Sequence, residues 1–355
     1  MIDTLDIKIE KVGQSRLREV DEENIQFGKV YSDHMFIADY KDGEWTDLRI
    51  VPYGDLSISP ANATLHYGQT IFEGLKAYKS ENGEILVFRP EDNAKRLNLS
   101  AIRMCIPELP EEIFMSALHQ LVSLDKDWVP SKTGTSLYIR PFMFATDPYI
   151  GIRPSDEYTF IMFTCPVGAY YSEPVSVRVE TKYTRAVTGG TGYAKTAGNY
   201  AAALYPAVQA HREGYDQLIW TNGGTHEFIE ESGTMNVMFL INDTLITAPT
   251  GDTILAGITR NSALTLAKDW GYQVEERNVA VAEIIKAIED GTLKEAFGTG
   301  TAATIAQIKK IAHNGKDYAI GESPGARVLS NRLLKTLDNI KYGREADPHN
   351  WIVKI

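Results

Sequence analysis

The chain has 355 residues, 43% hydrophobic and 23% charged, the make-up of a soluble globular protein long enough for two cores. A net charge of −11 without any dense Lys/Arg run excludes a nucleic-acid footprint, and no apolar run is long enough to span a bilayer. The opening MIDTLDIKIEKVG lacks the basic and apolar regions of a signal peptide, so the expected compartment is the cytoplasm.

Residues 1–25 are polar and read as a loosely packed arm. A strand is predicted at 34–40 and a hairpin at 77–89, where Asn82-Gly83 offers the positive φ angles of a tight turn between alternating runs. Pro90 then opens a helix at its first turn, with Glu91 and Asp92 on the favourable end and Lys95, Arg96 and Arg103 along it. Apolar residues at Ile113, Phe114, Ala117, Leu118, Leu121 and Leu124 give helical spacing over 110–126. Strands follow at 136–146 and 158–167. The stretch 168–174 reads as a connection between a domain of residues 1–170 and one of 171–355.

The second part begins with a strand at 175–182 and a glycine-rich stretch around a single lysine. A helix at 201–212, a strand at 216–221, a turn at 222–224 and a strand at 235–241 come next. Helices at 259–270, 281–289 and 324–340 complete it. Early strands come as hairpins instead of alternating with helices, which predicts α+β and not a doubly wound sheet. Cys105 and Cys165 lie far apart in apolar surroundings and read as reduced core thiols.

The chemistry centres on VTGGTGYAKTAGNY, residues 187–200. Its bare backbone can approach a ligand closely, and an amine shielded there from water, Lys195, is a nucleophile for carbonyl carbon. Tyr200 offers a phenol nearby in sequence. A solvated loop lysine is the alternative. Anion-binding candidates are LAGITR at 255–260, which opens a helix, GTGTAA at 298–303, and Arg96 with its bidentate fork. Each also has an ordinary use: Thr259 as an N-cap, the glycines in turns, Arg96 on a helix surface. GTGTAA matches a dinucleotide fingerprint, but 305–311 reads as a strand where that fingerprint needs a helix. Glu230 and Glu231 stand just before the strand at 235–241, where a carboxylate can pair with a protonated ring nitrogen or merely cap a turn. His66, His119 and His226 lack metal-ligand spacing, so no metal is expected, and no serine-triad arrangement is present.

A lysine able to form a Schiff base, a phosphate cradle in pieces and an acid for a ring nitrogen together describe pyridoxal phosphate chemistry. The runs LHYGQTIFEGLKAY (65–78), SLYIRP (136–141), GGTGYAKTAGNY (189–200), EESGTMNV (230–237), LAGITR and GTGTAA occur in the order found in branched-chain amino acid aminotransferases, and the chain resembles that family from about Phe27 to its end. The resemblance implies a two-domain fold-type IV architecture, with a smaller α/β N-terminal domain and a larger C-terminal domain with a β-barrel-like core. It implies pyridoxal 5′-phosphate as cofactor and leucine, isoleucine, valine, their 2-oxo acids and glutamate/2-oxoglutarate as substrates of a ping-pong reaction. A homodimer or higher homo-oligomer is implied as well.

Carried over by residue, Lys195 would hold the cofactor covalently and then move the substrate's α proton. Tyr200 would bond the phenolic oxygen, and Glu231 would pair with the ring nitrogen. Arg96, the amides of Ile258 and Thr259, and Thr301 would hold the phosphate, with Thr234, Asn236 and Gly257 also at the cofactor. Thr234, Thr301 and Ala302 would lie near the substrate carboxylate. Phe27, Tyr67, Phe72, Tyr138, Arg140 and Tyr170 would shape the side-chain pocket, with Arg140 or a tyrosine hydroxyl meeting the carboxylate of glutamate. Animal relatives carry a redox-sensitive C-x-x-C where this chain has Ala303-Thr304-Ile305-Ala306, which removes thiol regulation there. D-amino acid aminotransferases and aminodeoxychorismate lyases share the lysine and the acid but are typically shorter. A catalytically dead scaffold on the same fold is the remaining alternative, disfavoured by intact Lys195, Tyr200 and Glu231.

Overall fold

The computed structural model describes residues 5–21, 24–168, 173–321 and 326–355. The chain is α+β, and it gathers into two units. The first comprises residues 1–170, 194–197 and 339–355; the second comprises 171–193 and 198–338. With these additions the first unit holds the larger share of the residues.

The first unit is built on a mixed sheet whose strands run in the order Lys8–Ile9, Glu44–Pro52, His34–Lys41, Tyr158–Val167, Ser136–Ala145, Leu75–Lys79, Ile85–Phe88 and Ile352–Lys354, with Thr70–Phe72 also on Ser136–Ala145. Strand alternation divides its side chains. Leu137, Ile139, Met143 and Ala145 join Phe36 and Phe160 in a core covered by the helices Pro90–Arg103 and Glu111–Leu124. Tyr138, Arg140 and Phe142 therefore fall on the opposite face of the same strand. The hairpin over Leu75–Lys79 and Ile85–Phe88 has the expected pairing, but of Asn82 and Gly83 only Gly83 has positive φ, at +81°. A longer loop, closed by Gly83 N–H to the Ser80 carbonyl, replaces the two-residue turn. The N-terminal residues are not loose: Lys8 and Ile9 pair in parallel with Arg49 and Ile50, and Ile7 is buried. Cys165 is buried but Cys105 is exposed just past the end of its helix, which corrects the reading of both as core thiols.

The second unit contains a closed six-stranded barrel. Val175–Val179 pairs with Gln217–Thr221, which pairs with Phe228–Ser232, then Met235–Ile241, Leu293–Gly300 and Thr304–His313, and the last strand returns to the first. The segment 305–311 is a strand, as its pattern predicts. Phe228–Ser232 was not foreseen: Glu230 and Glu231 lie on this strand and not in a turn before the next one, and both are buried. The turn after them, Gly233-Thr234, is closed by a positive φ of +58° at Gly233, the pattern of a II′ hairpin. It sets Glu231 opposite Asn236 in register. Helix Ile258–Asp269 has Gly257 as its N-cap, so Thr259 is not the cap. The last helix is Val328–Lys341; the start expected for it near Pro324 lies outside the described residues. No described helix is long and apolar enough to cross a membrane.

Candidate active site

Lys195 belongs to the first unit, and its backbone is fastened there at several points. Its N–H donates to Ser100 Oγ at 2.9 Å, its carbonyl accepts from Phe72 N–H at 3.0 Å, and Thr196 Oγ1 donates to the Thr70 carbonyl at 2.8 Å. Ile71 and Thr196 form an isolated antiparallel bridge, so the lysine segment continues the sheet edge. The amine Nζ then lies 4.7 Å from the centre of the Phe72 ring. Arg140 packs on the same ring at 4.7 Å, and its Nη2 donates to the Tyr138 hydroxyl at 2.9 Å. Its Nε is buried without a hydrogen-bond partner among the described residues. Phe27 meets Tyr138 edge-on at 5.0 Å. Lysine, arginine and aromatic rings thus converge on one face of this unit. Tyr67 is instead exposed at the end of the helix Ala63–Tyr67 and donates to the Ile150 carbonyl at 2.5 Å. Tyr170 lies outside the described residues.

Arg96 is no surface helix residue. Its Nε and Nη2 grip Glu73 at 2.7 and 2.8 Å, and Glu73 is wholly buried. The fork is thereby fixed in direction. One turn on, Ser100 shares the face of Arg96 and is the residue that receives the Lys195 amide.

In the second unit the register Trp220–Glu231–Asn236–Thr299–Ile305 runs across neighbouring strands and puts these side chains on one face. The opposite face carries Val237 and Phe239 of the apolar cluster. Glu231 Oε1 accepts from Leu255 N–H at 2.9 Å and from Asn236 Nδ2 at 3.4 Å, and Asn236 Nδ2 also donates to the Leu255 carbonyl at 2.9 Å. This lattice ties the acid to the segment 255–257 that opens the helix Ile258–Asp269. Gly257 sits so tightly against Asn236 that a Cβ there would overlap Oδ1. No side chain caps this helix and its first turn holds no acid, so its start favours an anion. Thr299 Oγ1 is buried without a partner among the described residues, on the strand that leads into Thr301 and Ala302. Tyr200 is half-buried in the first turn of the helix Ala197–Arg212, and Thr234 is exposed on its hairpin turn.

Buried orphan oxygen, an uncapped helix start and a glycine cradle are what a bound phosphate and a polar ring require. The donor set fits pyridoxal phosphate.

Glu73, Ser100, Leu255 and Arg185 were not singled out from sequence. Glu73 carried a signal, an acid inside the apolar run TIFEGLKAY; Ser100 acts through a hydroxyl that no pattern marks, and Leu255, though it opens the run LAGITR, gives its amide to Glu231 instead of to an anion. Arg185 lies with its Nε 3.3 Å from Glu231 Oε2.

A family model for amino-transferase class IV matches residues 70–311. The chain belongs to this family. Similar class IV proteins include branched-chain-amino-acid aminotransferase 2 of Bacillus subtilis, 46% identical over 339 residues that cover 94% of this chain and 93% of the relative. The branched-chain-amino-acid aminotransferase of Mycolicibacterium smegmatis is 44% identical over 342 residues, 94% of this chain and 92% of that one. Among solved structures, the branched-chain aminotransferase of Thermoproteus uzoniensis with norvaline superposes with a TM-score of 0.74 at 26% identity, covering 90% of this chain and 99% of that one. The Escherichia coli branched-chain amino acid aminotransferase gives a TM-score of 0.73 at 25% identity, with 90% and 98% covered. This class IV aminotransferase therefore shares the fold-type IV architecture.

Proposed function

We propose that this class IV aminotransferase is a branched-chain L-amino acid transaminase, reversibly moving the amino group of leucine, isoleucine or valine to 2-oxoglutarate in a ping-pong reaction with pyridoxal 5′-phosphate. The observation that carries the reading is the 46% identity to a branched-chain enzyme across nearly the whole chain, with Lys195 and Glu231 in place. Pyridoxal phosphate, when bound, supplies an aldehyde that accepts the amine and a ring that withdraws electrons from the α carbon.

The chain's own residues do the rest. Lys195 would hold the cofactor, and its free amine would take the proton from the substrate's α carbon as a general base. Its seat on the Phe72 ring keeps the amine near one place while leaving it able to swing. Glu231 would hold a proton on the cofactor's ring nitrogen, and Tyr200 would donate to its phenolic oxygen. On the family resemblance Arg96, the amides of Ile258 and Thr259, and Thr301 would hold the phosphate, with Asn236 and Gly257 fixing the helix start. Thr234, Thr301 and Ala302 meet the substrate carboxylate.

Phe27, Phe72 and Tyr138 offer an apolar wall for branched side chains, with Tyr67 and Tyr170 assigned there on the resemblance alone. One wall cannot strongly separate side chains that differ by a methylene, so all three amino acids are substrates. The unpartnered Nε of Arg140 suits the second carboxylate of glutamate. We read the enzyme as cytoplasmic on the character of its first residues, and as at least dimeric on the family resemblance.

The test is a set of initial rates with leucine, D-alanine and aminodeoxychorismate as donors. Leucine alone should serve, with parallel double-reciprocal lines against 2-oxoglutarate. Intersecting lines overturn the ping-pong mechanism, and turnover of D-alanine in place of leucine overturns the substrate.

A further inference from the structure

Arg185 has no place in the scheme above, yet it is buried against the acids of the second unit. Its side chain is 9% exposed, and its Nε lies 3.3 Å from Glu231 Oε2 without a hydrogen-bond angle, so this contact acts through charge. Its Nη2 donates to the Thr253 carbonyl. Glu231 is thus held from two sides: neutral donors of Leu255 and Asn236 on Oε1, and a cation on Oε2. Thr253 and Leu255 are neighbours on one loop, so arginine and acid are clamped to the same piece of backbone. Asp252, the other acid there, accepts from Gly189 N–H at 3.1 Å.

Glu230 makes the arrangement informative. It too is buried, and burial pushes its carboxyl above the ordinary 4.5, with the Thr253 hydroxyl and Arg185 pulling it back and Glu231 adding to the rise. Its Oε2 has no hydrogen-bond partner among the described residues. One arginine serves two adjacent buried acids, and the close ion pair goes to Glu231.

We propose that Arg185 is a positioning residue for this transamination: its guanidinium, 3.3 Å from Glu231 Oε2, holds that carboxylate in place for the cofactor's ring nitrogen. The proposal rests on the reading of Glu231 as the ring-nitrogen partner. Without the guanidinium, Glu231 keeps its neutral donors on Oε1 but loses the cation at Oε2, and its carboxylate is held from one side only.

The experiment compares wild type, Arg185→Met, Arg185→Lys, Glu231→Gln and the double variant Arg185→Met/Glu231→Gln, each reconstituted with pyridoxal phosphate. Stopped-flow absorbance follows the half-reaction with L-leucine across pH. Arg185→Met should slow this step on the order of 10-fold with little change in half-saturation by leucine, and shift its pH profile upward. Arg185→Lys should recover most of the rate. On the Glu231→Gln background the methionine change should add less than about twofold, because its effect runs through Glu231. A methionine variant within about twofold of wild type overturns the proposal, as does a loss that adds in full to Glu231→Gln.

Melting of the cofactor-free proteins supplies a readout apart from turnover. The deficit of Arg185→Met against wild type should be larger at pH 8 than at pH 5, because protonation relieves a buried acid left without its cation; an equal deficit at both overturns the proposal. Should Arg185→Met not fold, Arg185→Lys carries the test: a half-reaction as slow as that of Glu231→Gln overturns it, and one within about threefold of wild type supports it. If wild type itself is not bleached by leucine, the functional reading has failed, and the melting comparison still decides where the charge is held.

Discussion

Gly257→Ala adds a single methyl at the point where the acid, the amide and the helix start are joined. The backbone there is ordinary, with φ −68°, so the change tests packing and not strain. The new Cβ would overlap Asn236 Oδ1 and lie 3.1 Å from both Asn236 Cγ and Arg260 Cβ. Asn236 is buried on a barrel strand, so its carboxamide must turn away. It then gives up its 2.9 Å bond to the Leu255 carbonyl and its 3.4 Å contact with Glu231. Orphaning such groups costs about 1–3 kcal/mol, and overpacking a tight site a similar amount, which together predict a loss of roughly 2–6 kcal/mol.

Thermal unfolding of the cofactor-free protein reads this directly, and equilibrium dialysis reads weakened retention of pyridoxal phosphate. Gly251→Ala, on the same loop with no atom near its Cβ position, is the control and should stay within about 0.5 kcal/mol of wild type. In an Asn236→Ala background the clash is gone, so the alanine at 257 should cost much less. If Gly257→Ala melts with wild type and holds cofactor equally well, the joint between the acid and the helix start is not what the geometry makes it.

The remaining predictions concern other parts of the molecule. Glu230 has its carboxyl pushed up by burial, so between the ordinary 4.5 and its folded value the unfolded chain ionises first and stability falls as pH rises; Glu230→Gln should therefore raise the melting temperature more at pH 7.5 than at pH 4.5, and an equal effect at both would refute this. Asp125 holds buried His34 at 2.6 Å, and His34 Nε2 in turn accepts from Val12 N–H at 3.0 Å. Asp125→Ala should cost about 3 kcal/mol in chemical denaturation and open the segment before residue 20 to limited proteolysis; an intact cleavage pattern would count against the clamp. Arg140→Met should raise KM for 2-oxoglutarate by roughly 10-fold or more while leucine turnover stays within a few-fold, as expected for loss of a charge-assisted bond; equal losses on both substrates would remove Arg140 from the glutamate site.

How far the sequence carried depends on what each residue does. Apolar spacing marked the helix at Glu111, and Pro90 with Glu91 and Asp92 marked the start of the one before it, because both signals are local. Spacing missed Phe228–Ser232, since two consecutive buried acids break the alternation by which a strand is recognised; only the register with Met235–Ile241 explains them. Glu231 was picked out as chemistry, but the reason it can stay buried lies in Leu255, Asn236 and Arg185, which come from three separate stretches of chain. Arg96 was read as a candidate fork for phosphate without its partner Glu73, 23 positions away. Asn82-Gly83 looked like a two-residue turn, but the pairing of Lys79 with Ile85 leaves a longer loop that needs positive φ only at the glycine. Side chains that do chemistry announced themselves by type and order. The neighbours that hold them did not, because tertiary pairing sets those neighbours.

The most direct measurement is the visible spectrum of the purified protein with pyridoxal phosphate, before and after L-leucine, beside Lys195→Ala. The account predicts a yellow protein bleached by leucine and a lysine variant that does not complete the change. A wild-type protein that takes up no cofactor, or a Lys195→Ala protein that is bleached as fast as wild type, would contradict it.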